Sequence, residues 1–263
     1  MTRTVSSRID LKVYGDVELI FSVAVAQGLA ASESLTVTAD GVEVEPREVI
    51  GRHGTRLHCL NAHRGSLSVA YDATIEAPAG TLETAEIDLI EYRRPSRYCE
   101  SDVLFALARA QFAGLSGQAL LAAVDEWVRT NLSYVPGASQ VTDGAVKTFL
   151  ARQGVCRDYA HLVVAMLRAL DVPARLASVY APGLSPMDFH AVAEAFVDGT
   201  WYVIDATGLA SRHTLVRIAT GRDASDTAFM TQHGGAVDLV GLRVDASTDT
   251  PVEDDHRALV VLS

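Results

Sequence analysis

Apolar and polar residues alternate along most of the first 77 residues. Ile9, Leu11 and Val13 are separated by charged residues, and the stretches 42–44 and 67–71 repeat the same period of two. Such alternation is typical of strands with one buried face, and glycines between the stretches mark turns. No helical pattern longer than two turns occurs in this region. We therefore predict an antiparallel β-domain, most simply a small sandwich.

The period changes after Pro95. Apolar residues then recur three to four positions apart in segments that begin near Ser101 and Ser116, in a third short segment, and in a longer one over 160–167. This spacing predicts helices, with the two serines as N-caps. Gly154 follows the third segment and is its predicted C′ residue.

From residue 175 onward the period returns to two, which predicts further strands up to a last one over 258–262. The acidic run 253–255 before it is most simply a solvated turn. Helices followed by strands predict an α+β fold. We accordingly divide the chain into an N-terminal β-domain, 1–95, and a second domain, 96–263, of helices packed on an antiparallel sheet.

Composition narrows the class of protein. Of the 263 residues, 49% are apolar and 21% are charged, which is ordinary for a globular protein. The net charge of −11 disfavours nucleic-acid binding, which needs clustered basic residues. Residues 1–10 lack the apolar run of a signal peptide, and no stretch is long and apolar enough for a transmembrane helix. We expect a cytoplasmic protein that binds neither nucleic acid nor membranes; its oligomeric state stays open.

The three cysteines are too few for a disulfide framework. Cys156 differs from Cys59 and Cys99 because it comes directly before the longest helical pattern. A thiol at a helix N-terminus faces unpaired backbone N–H groups and the positive end of the helix dipole, both of which favour the thiolate. Cys156 is therefore the candidate nucleophile.

A predicted hairpin brings a histidine and a carboxylate together. Asp198-Gly199 lies between two alternating apolar runs and is a strong signal for a two-residue turn. In that register opposed residue numbers sum to 397, so His190 and Asp205 project from one face as diagonal neighbours. A carboxylate fixes the tautomer of an imidazole and stabilises its charged form, and the imidazole can then serve a thiol as base and acid.

Other histidines and cysteines do not form a convincing site. Four of them have spacings that match neither a zinc finger nor one face of a helix or strand: His53, His58, Cys59 and His63. We predict no metal there, and a solvated β-edge instead. His161 lies five residues after Cys156, outside the i, i+4 spacing, and is expected on the helix surface.

The chain resembles the transglutaminase-like superfamily, a group of papain-related cysteine enzymes, and its bacterial members most. The resemblance covers about residues 95 to 245 and is carried by Pro95-Ser96-Arg97-Tyr98-Cys99-Glu100-Ser101-Asp102, Gly154-Val155-Cys156-Arg157-Asp158, Arg168-Ala169-Leu170, Val172-Pro173-Ala174-Arg175, His190-Ala191, Asp205-Ala206-Thr207 and Gly221-Arg222-Asp223-Ala224. It implies a papain-like core after the N-terminal β-domain.

The resemblance also implies roles for individual residues. Cys156 would be the nucleophile, His190 the general base and acid, and Asp205 the residue that orients His190. Two departures are Val192, where the family often has Trp, and Ala206, where it usually has Pro. Val192 therefore joins Arg157 and Asp158, on the first turn of the helix, as a candidate substrate-binding residue.

Together these features predict cysteine-dependent acyl transfer on an amide or peptide bond, with hydrolysis as the general outcome and a thioester intermediate. No cofactor is expected, because the mechanism needs none. The predicted partner is a peptide or protein amide substrate. The alternative is a non-catalytic peptide-binding or assembly module built on the same fold.

Overall fold

The computed structural model describes residues 1–76 and 84–262. The strands are β1 (Arg3–Val13), β2 (Val17–Phe21), β3 (Ser32–Ala39), β4 (Val42–Val44), β5 (Arg47–Ile50), β6 (Arg56–Ala62), β7 (Gly65–Ile75), β8 (Ser133–Tyr134), β9 (Gln153–Gly154), β10 (Ala174–Tyr180), β11 (His190–Val197), β12 (Thr200–Ile204), β13 (Val216–Gly221), β14 (Met230–His233) and β15 (Val237–Thr248). The helices are α1 (Glu86–Glu91), α2 (Phe105–Gln111), α3 (Gly117–Asn131), α4 (Ala145–Ala151), α5 (Cys156–Ala169) and α6 (Ala224–Thr227), with 3-10 turns at Arg52–Gly54 and Arg212–Thr214. The predicted end of the β-region at residue 77 lies outside the described residues.

Two antiparallel sheets form the β-rich part, with strand orders β15-β1-β7-β3-β4 and β14-β2-β6-β5. Every second residue of β1 is buried along the whole strand, including Ile9, Leu11 and Val13. These side chains share one apolar core with residues from β2 and β7. The predicted sandwich-like β-domain is thus confirmed, and its cause is the period-two pattern of the strands.

Two strands from the C-terminal part complete these sheets. β15 runs antiparallel to β1 from Arg3 opposite Thr248 to Val13 opposite Val237, and β14 pairs with β2. The predicted segments 1–95 and 96–263 therefore share both sheets, which a local hydrophobic pattern does not encode.

The helical part is built around α5. All of its residues from Asp158 to Ala169 are buried, because α5 packs on β10 and β11 and is covered by α2, α3 and α4. The sheet beneath it has the order β12-β11-β10-β13, with antiparallel pairs throughout. Helices on an antiparallel sheet, after a β-rich region, confirm the predicted α+β fold class.

The hairpin between β11 and β12 has the predicted register. Val197 lies opposite Thr200, and Ala193 lies opposite Ile204, so the paired numbers sum to 397. Asp198 and Gly199 both have positive φ, 50° and 81°, as a type I′ turn requires. This short turn carries His190 and Asp205 to neighbouring strand ends.

Of the three predicted helix ends, two differ from the structure and the Ser116 N-cap is confirmed. α2 begins at Phe105 with Leu104 as N-cap, not at Ser101. Ser116 is the N-cap of α3, but its side chain makes no capping hydrogen bond. α4 ends at Ala151 with the left-handed Arg152 (φ 56°) as its C-cap, so Gly154 is not its C′ residue and belongs to β9.

The C-terminal predictions are corrected as well. Over 258–262 there is one isolated bridge, Val203 to Val260, and no strand. The acidic run 253–255 is not simply solvated, since the buried Asp254 carboxylate accepts two hydrogen bonds from the Arg212 guanidinium, at 2.8 and 2.9 Å. A buried arginine needs such a partner, and this one lies far away in the sequence. Among the described residues, no helix combines the length and hydropathy needed to cross a bilayer.

Candidate active site

Cys156 is the first residue of α5, and the preceding residues explain why the helix starts there. Val155 is extended, and its N–H donates to the Asp158 carboxylate at 2.8 Å. The negative charge of a carboxylate in the first turn also interacts favourably with the positive end of the helix dipole. At Gly154 an added Cβ would lie 2.6 Å from Asp158 Cβ, so only glycine permits this close approach. The local sequence therefore presents a half-buried thiol at the helix N-terminus.

His190 and Asp205 form a buried pair. His190 Nε2 and Asp205 Oδ2 are 2.7 Å apart, and each side chain is about 1% exposed. Thr207 holds the other carboxylate oxygen through its hydroxyl at 2.6 Å and its N–H at 3.1 Å. Thr207 had no predicted role, although an Asp followed two residues later by Thr is the local signal for such a turn. Both oxygens of the Asp205 carboxylate are thus held by hydrogen-bond partners, His190 at one and Thr207 at the other.

The charges of this pair shift the pKa values of both groups. Burial alone would lower the pKa of His190, but the charge and hydrogen bond of Asp205, and then the Cys156 side chain, raise it well above its ordinary value. Burial raises the pKa of Asp205, yet His190 and Thr207 outweigh it and lower this pKa. The arrangement favours an imidazolium beside a carboxylate. Among the described residues, His190 Nδ1 has no conventional hydrogen-bond partner, which leaves it as the ring nitrogen available to the thiol.

A cavity of about 630 Å³ lies beside Cys156 and His190. Its walls come from both parts of the fold, since β14 and β15 contribute along with β10 and β13. Its large apolar residues are Leu176, Phe189, Ile218, Phe229, Met230 and Leu242. Such a cleft, mostly apolar with a few polar groups, is typical of a ligand-binding site.

The three candidate substrate-binding residues lie in different places. Arg157 lines the cavity, and its guanidinium donates to Ser139 Oγ at 2.6 Å and to the Gln140 carbonyl at 2.7 Å. Asp158 is buried and caps α5. Val192 is buried in a separate apolar cluster and is not among the described residues that line the cavity. Of the three, the structure brings only Arg157 to the cavity wall.

His161 is buried and does not lie on the helix surface as predicted. α5 is surrounded on all sides, so no face of the helix is solvated. His161 Nε2 accepts the Ala224 N–H at 3.1 Å, and its ring stacks on Tyr98 with centroids 5.3 Å apart. Burial lowers the pKa of His161 to about 3, which keeps the ring neutral. His161 thus contacts Tyr98 and Ala224, both of which line the cavity.

The remaining histidines and cysteines are dispersed. His53, His58 and His63 contact three different carboxylates, on Asp88, Glu48 and Asp16 respectively. The first two rings are buried, so the expected solvated β-edge is wrong for them. Cys99 is fully buried, and burial raises its pKa to about 12.

Comparisons with known proteins show which family and fold this chain resembles. The family model described as the transglutaminase-like superfamily matches residues 107–206. A crystal structure of a proposed cysteine protease from Cytophaga hutchinsonii is 33% identical, with 98% of this chain and 96% of that chain covered and a TM-score of 0.88.

Two further proteins show weaker similarity. The uncharacterized protein ML0607 of Mycobacterium leprae is 28% identical over 118 residues, and the match spans 40% of this chain and 41% of that protein. The periplasmic domain of TgpA from Pseudomonas aeruginosa is 17% identical, with 78% of this chain and 90% of that chain covered and a TM-score of 0.42.

Cys156 at the start of α5 and His190, which is paired with the buried Asp205, line the same cavity. This chain belongs to the transglutaminase-like superfamily. Its similarity to the Cytophaga protein indicates a cysteine-dependent enzyme.

Proposed function

We propose that this protein hydrolyses peptide or amide bonds through Cys156, His190 and Asp205. The observation that carries the proposal is the 2.7 Å bond of His190 Nε2 to the buried Asp205 carboxylate, which leaves Nδ1 for the thiol. A histidine with a purely structural role would not need a buried carboxylate partner beside a cavity that Cys156 also lines.

The first half of the reaction would form a thioester. The sulfur of Cys156 attacks the carbonyl carbon of the substrate, and the carbonyl π electrons move to oxygen. His190, held as imidazolium by Asp205, donates its proton to the leaving amine as the C–N bond breaks. Asp205 keeps its charge and fixes the ring orientation throughout.

The second half would return the enzyme to its starting state. His190, now neutral, removes a proton from water, and the resulting oxygen attacks the thioester carbon. Cys156 leaves as thiolate beside the imidazolium, and the acid product departs. Hydrolysis is preferred over transfer to an amine because water needs no second binding site. The apolar cavity supports a peptide substrate whose apolar side chain it can bury.

Alkylation with iodoacetamide tests the proposal without a known substrate. A free thiol titrates at about 8.5, whereas a thiolate paired with an imidazolium reacts well below that pH. We expect Cys156 to be alkylated at pH 6 at least about 10-fold faster than N-acetylcysteine. Mass spectrometry identifies the alkylated cysteine, and His190→Ala is expected to slow the alkylation of Cys156 to about the rate of N-acetylcysteine. Cys59→Ser, which changes a cysteine of the β-domain, should leave the alkylation rate of Cys156 unchanged.

A second measurement concerns turnover. Cleavage of a library of peptides that carry one apolar side chain should be detected with the wild type and abolished in Cys156→Ala. A Cys156 that reacts no faster than N-acetylcysteine, together with no cleavage, would show that the chain is a binding or assembly module.

A further inference from the structure

Two serine hydroxyls in the wall of the cavity lack a hydrogen-bond partner. Ser22 and Ser178 both line the cavity, and the Oγ atoms of both are buried without a partner among the described residues. Ser22 is only 2% exposed. A buried hydroxyl without a partner is unfavourable, because the hydrogen bonds it made to water are not replaced. Two such hydroxyls in one cavity wall indicate a site for a polar ligand group.

The strand register turns Ser178 toward the cavity. On β10, Ser178 lies directly opposite Ala191 of β11, and paired residues of neighbouring strands share one face of the sheet. Leu176, two residues earlier on the same strand, shares this face as well. All three residues line the cavity. Ala191 directly follows His190, which places Ser178 beside the strand end that carries the imidazole.

Ser22 reaches the same wall from the β-rich part of the fold. It directly follows β2, and its N–H donates to the Phe229 carbonyl at 3.0 Å. The carbonyl of the next residue, Val23, accepts the Tyr180 hydroxyl at 2.8 Å. Tyr180 follows Ser178 by two residues on β10. This hydrogen bond ties the end of β2 to the strand of Ser178, so the two unpartnered hydroxyls belong to one region of the wall.

Aromatic rings lie next to both serines. Phe229, whose carbonyl accepts the Ser22 N–H, stacks on Phe189 with centroids 5.4 Å apart and an interplanar angle of 21°. The Phe189 ring also packs against Tyr180, at a centroid distance of 5.5 Å. Phe189 and Phe229 both line the cavity. Because aromatic rings pack favourably on one another, this wall suits a ligand with an aromatic body.

The hydrogen-bonding capacity of two hydroxyls selects the polar end of the ligand. A phenol has one O–H donor and an oxygen that accepts, so it can donate to one serine and accept from the other. A carboxamide has two N–H donors and a carbonyl oxygen, and two hydroxyls would leave part of it unpaired. A charged group would lose its hydration and find no opposite charge on a serine. A neutral hydroxyl on an aromatic ring therefore fits best.

We propose that Ser22 and Ser178 bind the phenolic hydroxyl of a substrate tyrosine, whose ring packs on Phe189 and Phe229. A serine hydroxyl changes between staggered rotamers without movement of the backbone, so both hydroxyls can turn to the arriving phenol. The two serines determine specificity and take no part in bond making. The assignment of this tyrosine to a substrate rests on the proposed hydrolase function.

Binding to a protein without the nucleophile tests the site independently of turnover. Cys156→Ala keeps the cavity wall, and N-acetyltyrosinamide differs from N-acetylphenylalaninamide only in the phenolic hydroxyl. We expect the tyrosine compound to bind roughly 10-fold tighter in an NMR titration, as for two neutral hydrogen bonds. Ser22→Ala and Ser178→Ala, each added to Cys156→Ala, should reduce this ratio of dissociation constants. Both changes together should bring the two compounds to within about twofold of each other.

Ser225→Ala is the matched control. Ser225 lines the same cavity, but its hydroxyl already donates to Asp223 at 2.6 Å. Loss of this hydroxyl should leave the ratio of the two dissociation constants within about twofold of its starting value.

The stability of Ser22→Ala gives a second check. Because the Ser22 hydroxyl has no partner in the free protein, its removal should not lower the Tm. A fall of more than about 2 °C would show that the hydroxyl is already engaged, and would overturn the proposal.

The outcomes separate the tyrosine site from the hydrolase function. Equal affinity for both compounds, or a preference for the tyrosine compound that persists without the two serine hydroxyls, would overturn the site. Cleavage of peptides by the wild type and not by Cys156→Ala would in that case still support hydrolysis. A preference that depends on the two serines, together with no cleavage and an unreactive Cys156, would support the tyrosine site in a binding module and overturn the hydrolase function.

Discussion

Glu194 holds two arginines inside the sheet that carries His190. Its carboxylate accepts from Arg175 Nε at 2.9 Å and from both terminal nitrogens of Arg217 at 2.7 Å, and all three side chains are 4% exposed or less. Burial raises the pKa of this carboxyl, but the two arginines outweigh it and lower the pKa to about 2. Removing the charge by Glu194→Gln leaves two buried cations without their anion while the volume is kept.

The size of the effect follows from the pKa. One pKa unit between folded and unfolded chain corresponds to about 1.4 kcal/mol, so the fall from 4.5 to about 2 amounts to about 3 kcal/mol at pH 7. This agrees with the roughly 3–5 kcal/mol lost when a buried ion pair loses one partner. For a chain of this size we expect the Tm to fall by roughly 6–12 °C.

The direction of the pKa shift determines how the stabilisation by Glu194 changes with pH. Because the folded pKa is the lower one, the stabilisation is present above the unfolded pKa and is lost as the pH falls toward the folded value. The difference between wild type and Glu194→Gln should therefore shrink from about 3 kcal/mol at pH 7 to roughly 1.5 kcal/mol at pH 3.

Urea unfolding followed by tryptophan fluorescence measures this difference, and Trp201 is a local reporter because the Arg175 guanidinium lies 4.0 Å from its ring centre. Glu126→Gln, which breaks an exposed pair with Arg129, is the matched control and should cost under about 1 kcal/mol. A Tm change below about 2 °C for Glu194→Gln, or a free-energy difference independent of pH, would refute the reasoning.

Two further predictions concern the site. Asp205→Asn should lower kcat by roughly 10²–10⁴-fold. It should also move the basic limb of the pH profile of kcat to lower pH, because the carboxylate no longer raises the pKa of His190. Steady-state kinetics from pH 5 to 10 check this, and an unchanged profile would contradict it. Leu242→Asp puts a charge into the cavity wall and should raise KM for peptides with an apolar side chain by about 10-fold, whereas Val240→Asp, on the same strand but 70% exposed, should not. Equal KM values for the two variants would show that the cavity does not receive the substrate side chain.

Features with a local cause could be predicted from the sequence. Asp198-Gly199 determines the turn, the turn determines the register, and the register places His190 beside Asp205. The start of α5 at Cys156 is likewise local, because it depends on Gly154 and residues within one turn. These two features account for the candidate site.

Features that depend on distant parts of the chain could not be predicted. The burial of His161 results from elements that surround α5 on every side, and the partner of Arg212 is 42 residues away. Val192 belongs to a core cluster, although the resemblance to the superfamily suggested the substrate cleft. In each case the neighbouring sequence is compatible both with a buried position and with an exposed one.

The strand alternation of β1, the register of the β11–β12 hairpin and the start of α5 at Cys156 can be inferred from the sequence alone, because short-range geometry dictates each of them. The return of β14 and β15 to β2 and β1 appears only in the folded chain, and it makes Met230 and Leu242 part of the cavity wall beside Cys156. The same holds for the pairing of β8 with β9, which sets Tyr134 opposite Gly154. The physical reason is that strand pairing across long separations depends on the packing of the whole chain, whereas a turn or a helix start depends on a few neighbouring residues.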